Sequence, residues 1–229
     1  MLAVLVALGA WQLHRMEWKA ALIEEVRIRG AATAIALPVD DRIPAADLVH
    51  RPVRITGRFM HEAEMHLLNR VRDGKPGIDL VTPFVRSDGG PTLLVNRGWA
   101  PIDWAGTTDV DEVPEQQDIE VSGIVRAPAA PGWLTPANRP DENEWYYVDL
   151  SAMAGSVGVL PFVDYYIYAT GESPAVPAHP VANVWQVDLP NNHLSYAITW
   201  FSLAVALLVI YFVYHARLAS GEEDVDDND

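Results

Sequence analysis

From residue 194 to residue 214 no side chain carries a charge. At about 1.5 Å per residue the run makes roughly 32 Å of helix, matching a bilayer hydrocarbon layer of ~30 Å. Pro190 closes the segment before it, and Asn191 or Asn192 offers an oxygen to the first free N–H groups of the helix. Tyr196 and Trp200 stand at one end of the run, and Tyr211 and Tyr214 at the other, as an interfacial aromatic belt requires. A buried helix of a soluble protein is the competing reading. His193 thereby falls on the first turn of a predicted spanning helix, at the boundary between membrane and water.

Residues 2–13 are apolar apart from Gln12. Such a stretch covers only about 20 Å, too short to span. A signal peptide is the rival, but no basic segment precedes the run and no small-residue cleavage site stands before Arg15. Trp11, Trp18, Leu22 and Val26 carry helical spacing beyond the apolar run. The pattern predicts a first transmembrane helix over 1–14, truncated at its start, that continues as a stalk over 15–29. The natural start is expected upstream, with further apolar residues preceded by Arg or Lys.

Between the two helices the period becomes two. Val53, Ile55, Gly57 and Phe59 alternate with Arg54, Thr56 and Arg58. Ile119, Val121, Gly123 and Val125 alternate with Glu120, Ser122, Ile124 and Arg126. Shorter runs at 65–70, 78–85, 92–97 and 163–169, bounded by Gly, Pro and Asp, add four more strands. The expected fold is an all-β-rich domain, an antiparallel sheet or partial barrel, flanked by two transmembrane helices. A helical interruption is expected near 149–157. Polar, proline-rich connections fill 101–117, 127–143 and 171–190. The resulting plan is a first transmembrane helix at 1–14, a domain between the helices at 15–190, a second transmembrane helix at 191–214, and an acidic disordered tail at 215–229.

Charge narrows the partners. A formal net charge of -15 argues against nucleic acid or an anionic lipid surface, and Glu222, Glu223, Asp224, Asp226, Asp227 and Asp229 concentrate part of it in the tail. The chain has no cysteine, which excludes a disulfide framework, a thiolate metal site and covalent c-type haem. His61 and His66 flank two glutamates, but a helical zinc motif needs histidines four apart. A spacing of five puts them about 140° apart round a helix, and the segment reads as a solvated approach to a strand. No clustered nucleophile and base is found, so an enzyme is not expected.

The stretch Asn191-Asn192-His193-Leu194-x-Tyr196-Ala197-x-Thr199-Trp200-Phe201 resembles the C-terminal signature of the Surfeit-locus-one family, the assembly factors of haem-copper cytochrome c oxidase. Gly9-x-Trp11-Gln12-Leu13-x-Arg15-x-x-x-Lys19 is similar to that family's first-helix signature. Val95-Asn96-Arg97-Gly98-Trp99-x-Pro101, with Arg70 and Gly77-x-x-x-x-Thr82-Pro83 upstream, is similar to its central block.

The resemblance implies a membrane protein of the respiratory chain that binds haem a and inserts or stabilises it in the catalytic subunit of the oxidase. It implies the oxidase catalytic subunit, haem a synthase and the lipid bilayer as partners. It places the domain in the periplasm and the helices, as a multi-pass anchor, in the inner (plasma) membrane. His193 is the implied ligand of the haem iron. A neutral imidazole suits that role, and Tyr196, Ala197, Trp200 and Ala204 share its helical face, so small alanines between aromatics leave a slot for a flat ring. The plainer alternative is that His193 only hydrogen-bonds at the interface. His14 is a candidate second ligand without a counterpart in the motif. Arg70 and Arg97 are candidates to hold a propionate or a partner's carboxylate, with a structural ion pair as the alternative. A scaffold that docks oxidase subunits and binds no cofactor is the competing function.

Overall fold

Val53 and Ile55 in β2 (Pro52–Phe59), Phe84 in β4 (Lys75–Arg86), Leu93 and Val95 in β5 (Leu93–Pro101), Val121 and Val125 in β6 (Ile119–Arg126), and Ile167 and Ala169 in β8 (Tyr166–Ser173) are all buried in one cluster. Side chains two apart on a strand share a face, so each of these strands turns the same alternate set inward. The computed structural model that places them describes residues 1–39, 43–104, 118–158, 163–173, 180–185 and 191–226. Most of the acidic 101–117 connection and much of the 171–190 connection lie outside the described residues.

β2 pairs with β6, β6 with β8, β8 with β5, β5 with β4, and β4 returns to β2 through Gly57 opposite Arg86 and Phe59 opposite Phe84. The five strands therefore close into a barrel around the cluster, which leaves those strands without an open edge. β3 (Met65–Arg72) extends the sheet from β4, and two short strands, β1 (Ile35–Ala36) on β2 and β7 (Glu144–Trp145) on β3, complete its eight described strands.

The expected antiparallel pairing holds for β2–β6, β6–β8, β4–β5, β3–β4 and β2–β4, and needs correction at β1–β2, β3–β7 and β5–β8, which are parallel. The β5–β8 pair closes the ring over a long connection, as a parallel pair requires. Alternation within single strands carries no information about that direction.

A second cluster covers the outer face. Met65, Leu67, Val81, Leu94, Trp145 and Tyr166 pack with Leu150 and Met153 of α3 (Leu150–Ser156). Asp149 caps α3 by accepting from the Ala152 N–H at 3.0 Å, so the expected helical interruption near 149–157 is present. A four-residue helix, α2 (Ala45–Leu48), buries Leu48 against the barrel core.

The remaining described elements are two long helices, α1 (Leu2–Gly30) and α4 (His193–Asp226). The chain divides into a helical unit, Met1–Arg27 with Val187–Asp229, and a sheet unit, Ile28–Gln186. Among the described residues one segment is long and apolar enough to cross a membrane: His193–Leu218, 26 residues. α1 is a single unbroken helix, as its spacing predicts. Its expected stripe is mostly exposed, however: Val26 is buried, while Trp11, Trp18 and Leu22 are not.

Candidate functional site

Within the helical unit three contacts join α1 to the start of α4. The side-chain amide of Asn191 donates to the Met16 carbonyl at 3.2 Å. His193 Nδ1 lies 2.8 Å from Gln12 Oε1. Gly9 is buried against the Phe201 ring, whose tip would stand 2.7 Å from a Cβ placed there. As residue numbers fall along α1 they rise along α4, so the two segments run antiparallel. Ala197 and Ala204 are buried too, so two of the small residues expected to line a slot are closed off from solvent. Asn191, expected as a cap, spends its side-chain N–H on α1, and the Asn192 carbonyl accepts the first helical bond, from Tyr196 N–H.

His193 is half-buried on the first turn of α4, and Gln12 is the hydrogen-bond partner of its ring. Trp200 is half-buried and Tyr196 exposed on the same helix. His14 is exposed and follows Gln12 by two residues, about 200° round the helix axis. The structure does not bring His14 to His193. It shares its side of α1 with Trp11, Arg15 and Trp18, where the Arg15 guanidinium lies 4.0 Å over the Trp18 ring.

The arginines belong to the sheet unit and to two separate groups. β4 and β5 shift register between Leu80 and Val81, whose partners are Gly98 and Asn96, so Arg97 is the extra residue of a bulge. A bulge re-aims a side chain. Here it directs Arg97, with 2% of its side chain exposed, to Glu172 on β8 at 3.1 and 3.3 Å and to Glu64 at 3.5 Å. His61 Nδ1 approaches the same guanidinium at 3.4 Å, and the Phe59 ring lies 4.5 Å beneath it. Thr82 donates to Glu64 at 3.1 Å. Burial raises the Glu64 carboxyl above its usual range, against the opposing pull of Arg97 and Thr82. Burial, aided by the Arg97 charge, lowers His61.

Arg70 instead pairs with Asp79 at 3.3 Å, and Asn96 donates to the same carboxylate at 3.0 Å. Burial raises Asp79, while Asn96 and Arg70 pull it down. Both guanidiniums are thus matched by carboxylates of this chain.

Three local expectations change. The run expected over 92–97 does not stop at its bounding glycine: the segment through Gly98 is a continuous strand with a bulge, because Gly98 at φ +132° lets the chain run on. The 61–66 segment is not a solvated loop: His61 opens a short 3₁₀ turn, half-buried against Arg97, and His66 lies in β3. The 171–190 connection is partly strand, since β8 runs to Ser173 and Val181 bridges Trp99. Glu172 was hidden in that connection. An arginine following Leu-Leu-Val-Asn in a buried strand was the signal that a carboxylate had to be found for Arg97.

Comparison with known proteins covers most of the chain. The chain is 34% identical to Surfeit locus protein 1 of Mus musculus, over 94% of this chain and 73% of the relative. It is 33% identical to the Homo sapiens protein of the same name, over 93% and 75%. It is 32% identical to the SURF1-like protein of Drosophila melanogaster, over 92% and 73%. The model of the SURF1 family matches residues 1–205, which takes in the first helix, the barrel and the start of α4 that carries His193. The chain belongs to the SURF1 family.

Proposed function

We propose that this chain is an assembly factor for haem-copper cytochrome c oxidase. In this reading it binds haem a as cargo and helps insert it into, or stabilise it in, the catalytic subunit. Family membership supports the oxidase, and the start of α4 supports the cargo. The carrying observation is a half-buried imidazole on the first turn of the one described segment fit to cross a bilayer. A ligand at that height can be loaded from water while the apolar helix shields the ring of the haem. Trp200, two turns along, offers an aromatic surface, and Tyr196 an exposed hydroxyl at the interface. Arg70 and Arg97 already have carboxylate partners, so a propionate would have to displace Asp79 or Glu172; their role in this reading is structural.

The membrane arrangement that fits this function has α4 and the apolar part of α1 in the inner membrane as a two-span anchor, with the barrel in the periplasm. The oxidase catalytic subunit and haem a synthase are its partners, and no catalysis is assigned to the chain. A scaffold that docks oxidase subunits without cofactor is the second reading. What favours it is the loop tip where Trp133 is 92% and Leu134 74% exposed, within a run without charge from 127 to 138.

Expression of the wild type and His193→Ala beside a source of haem a separates the two. Haem per protein is read from absorption and folding from far-UV dichroism. The haem reading expects the variant to lose most of its pigment at unchanged folding. Equal haem in the two leaves the scaffold.

A further inference from the structure

Gln12 interrupts an otherwise apolar run over residues 2–13. An amide carried into an apolar layer is costly unless it is hydrogen-bonded. Its partner is His193, with Oε1 at 2.8 Å from Nδ1. Two contacts that involve neither side chain hold the helices at that approach: Asn191 to the Met16 carbonyl, one turn along α1, and the Phe201 ring against Gly9.

A carbonyl oxygen has no proton to give. Where Gln12 Oε1 faces His193 Nδ1, the shared proton is on the ring, and a neutral imidazole with Nδ1–H keeps its lone pair on Nε2. We propose that Gln12 is a positioning residue that holds His193 in the Nδ1–H tautomer, leaving Nε2 as the ligating atom. The ligand role rests on the haem reading above, whereas the tautomer does not. Histidines that bind metals commonly have their second nitrogen fixed in this way, and the partner sets both ring orientation and basicity. The amide side of Gln12 turned toward His193 would reverse the outcome, because Nε2 would then carry the proton and could not bind iron. The two orientations are therefore chemically distinct.

The test uses the full chain in detergent micelles with ¹⁵N-labelled histidine. The chain has seven histidines, and His193 is assigned by the signals lost in His193→Ala. Protonated and bare ring nitrogens resonate far apart, so the haem-free protein reports the tautomer directly. Wild type is expected to show Nδ1 protonated. Gln12→Leu is expected to give mixed tautomers and, on titration with haem a, about a 10–100-fold weaker affinity. Gln12→Glu still accepts from Nδ1 and is expected to keep the tautomer and restore affinity to within a few-fold. That rescue separates positioning from a general packing role for α1.

A wild-type His193 with Nε2 protonated overturns the proposal. So does a Gln12→Leu protein whose tautomer and haem affinity match wild type. Should His193→Ala bind haem a as tightly as wild type, the haem reading falls, and the haem-free spectra still decide what Gln12 does. Far-UV dichroism of each variant guards against loss of fold, and Gln12→Glu supplies the second variant if Gln12→Leu does not fold.

Discussion

Arg97 and Glu172 meet at the end of the barrel core, guanidinium to carboxylate at 3.1 and 3.3 Å, with 2% and 9% of their side chains exposed. Glu64 approaches the same guanidinium from the turn before β3. One cation therefore serves two acids that are largely withdrawn from water. Removing one partner of a buried pair costs about 3–5 kcal/mol, because the charge left behind stays buried. Arg97→Ala leaves two such charges and is expected to lose at least that much stability, with the loss read from denaturant unfolding of the full chain in detergent. Arg97→Lys should recover only part, since a single ammonium cannot reproduce the fork that meets Glu172 through Nε and Nη2. A loss below about 1 kcal/mol for Arg97→Ala, the range of exposed pairs, would show that the group is solvated.

Glu64 gives this group a pH dependence. Its carboxyl is raised from an ordinary 4.5, first by burial. The folded state then binds a proton more tightly than the unfolded state, so the stabilisation is complete below 4.5 and is lost as pH rises through the raised value. Gln has no such titration. The difference in melting temperature, Glu64→Gln minus wild type, should therefore increase as pH rises above 4.5 and then level off. His61 acts in the opposite sense: it is lowered from 6.5, so its contribution is complete above 6.5 and lost as pH falls through the lowered value. Comparing variants at one site cancels the His61 contribution. A difference that decreases over the rising limb would contradict the burial of Glu64.

What the sequence made legible was whatever repeats locally. Among the six longer described strands, alternation placed β2 and β6, where burial of one face imposes a period of two, and short apolar runs bounded by Gly, Pro and Asp placed the other four. The uncharged run placed α4 as far as Tyr214, and the spacing past Leu13 placed the continuation of α1. The parallel β5–β8 pair, the barrel closure at Gly57–Arg86 and the pairing of Arg97 with Glu172 were not legible, because each joins residues far apart in the chain. His193 stood out as a polar residue at the edge of an apolar run. Its partner Gln12 lies 181 positions away, and no local pattern links the two.

Gly98 is the place where backbone geometry is least replaceable. It sits at φ +132°, and a Cβ there would lie 2.2 Å from the Val181 carbonyl oxygen. Backbone cannot swing aside as a side-chain tip can. Gly98→Ala is expected to cost about 1–3 kcal/mol from the conformation alone, with a further loss from separating Trp99 and Val181, which exchange backbone bonds of 3.1 and 2.8 Å. Hydrogen exchange should show the Trp99 and Val181 amides opening faster than those at the centre of β6. Unchanged protection at both would mean that the bulge tolerates a side chain.

Gly9 tests the helix pair in a different way, because what crowds it is the tip of the Phe201 ring rather than backbone. Alanine gains about 1 kcal/mol of helix propensity over glycine, and a ring can turn slightly, so Gly9→Ala is expected to be nearly neutral. Leucine asks for more space than the ring can yield, and overpacking of that kind costs about 1–3 kcal/mol. Phe201→Ala opens the same volume from the other side. If the two side chains compete for one space, the double variant Gly9→Leu/Phe201→Ala should be more stable than the sum of the single losses predicts, by about 0.5–3 kcal/mol, the coupling typical of residues in contact. Additive losses would mean that α1 and α4 do not meet at this point. The cycle has a second reading through His193, whose hydrogen bond to Gln12 depends on the same approach of the helices. Gly9→Leu should therefore weaken the tautomer preference of His193 in the haem-free protein, and Phe201→Ala added to it should restore that preference along with stability.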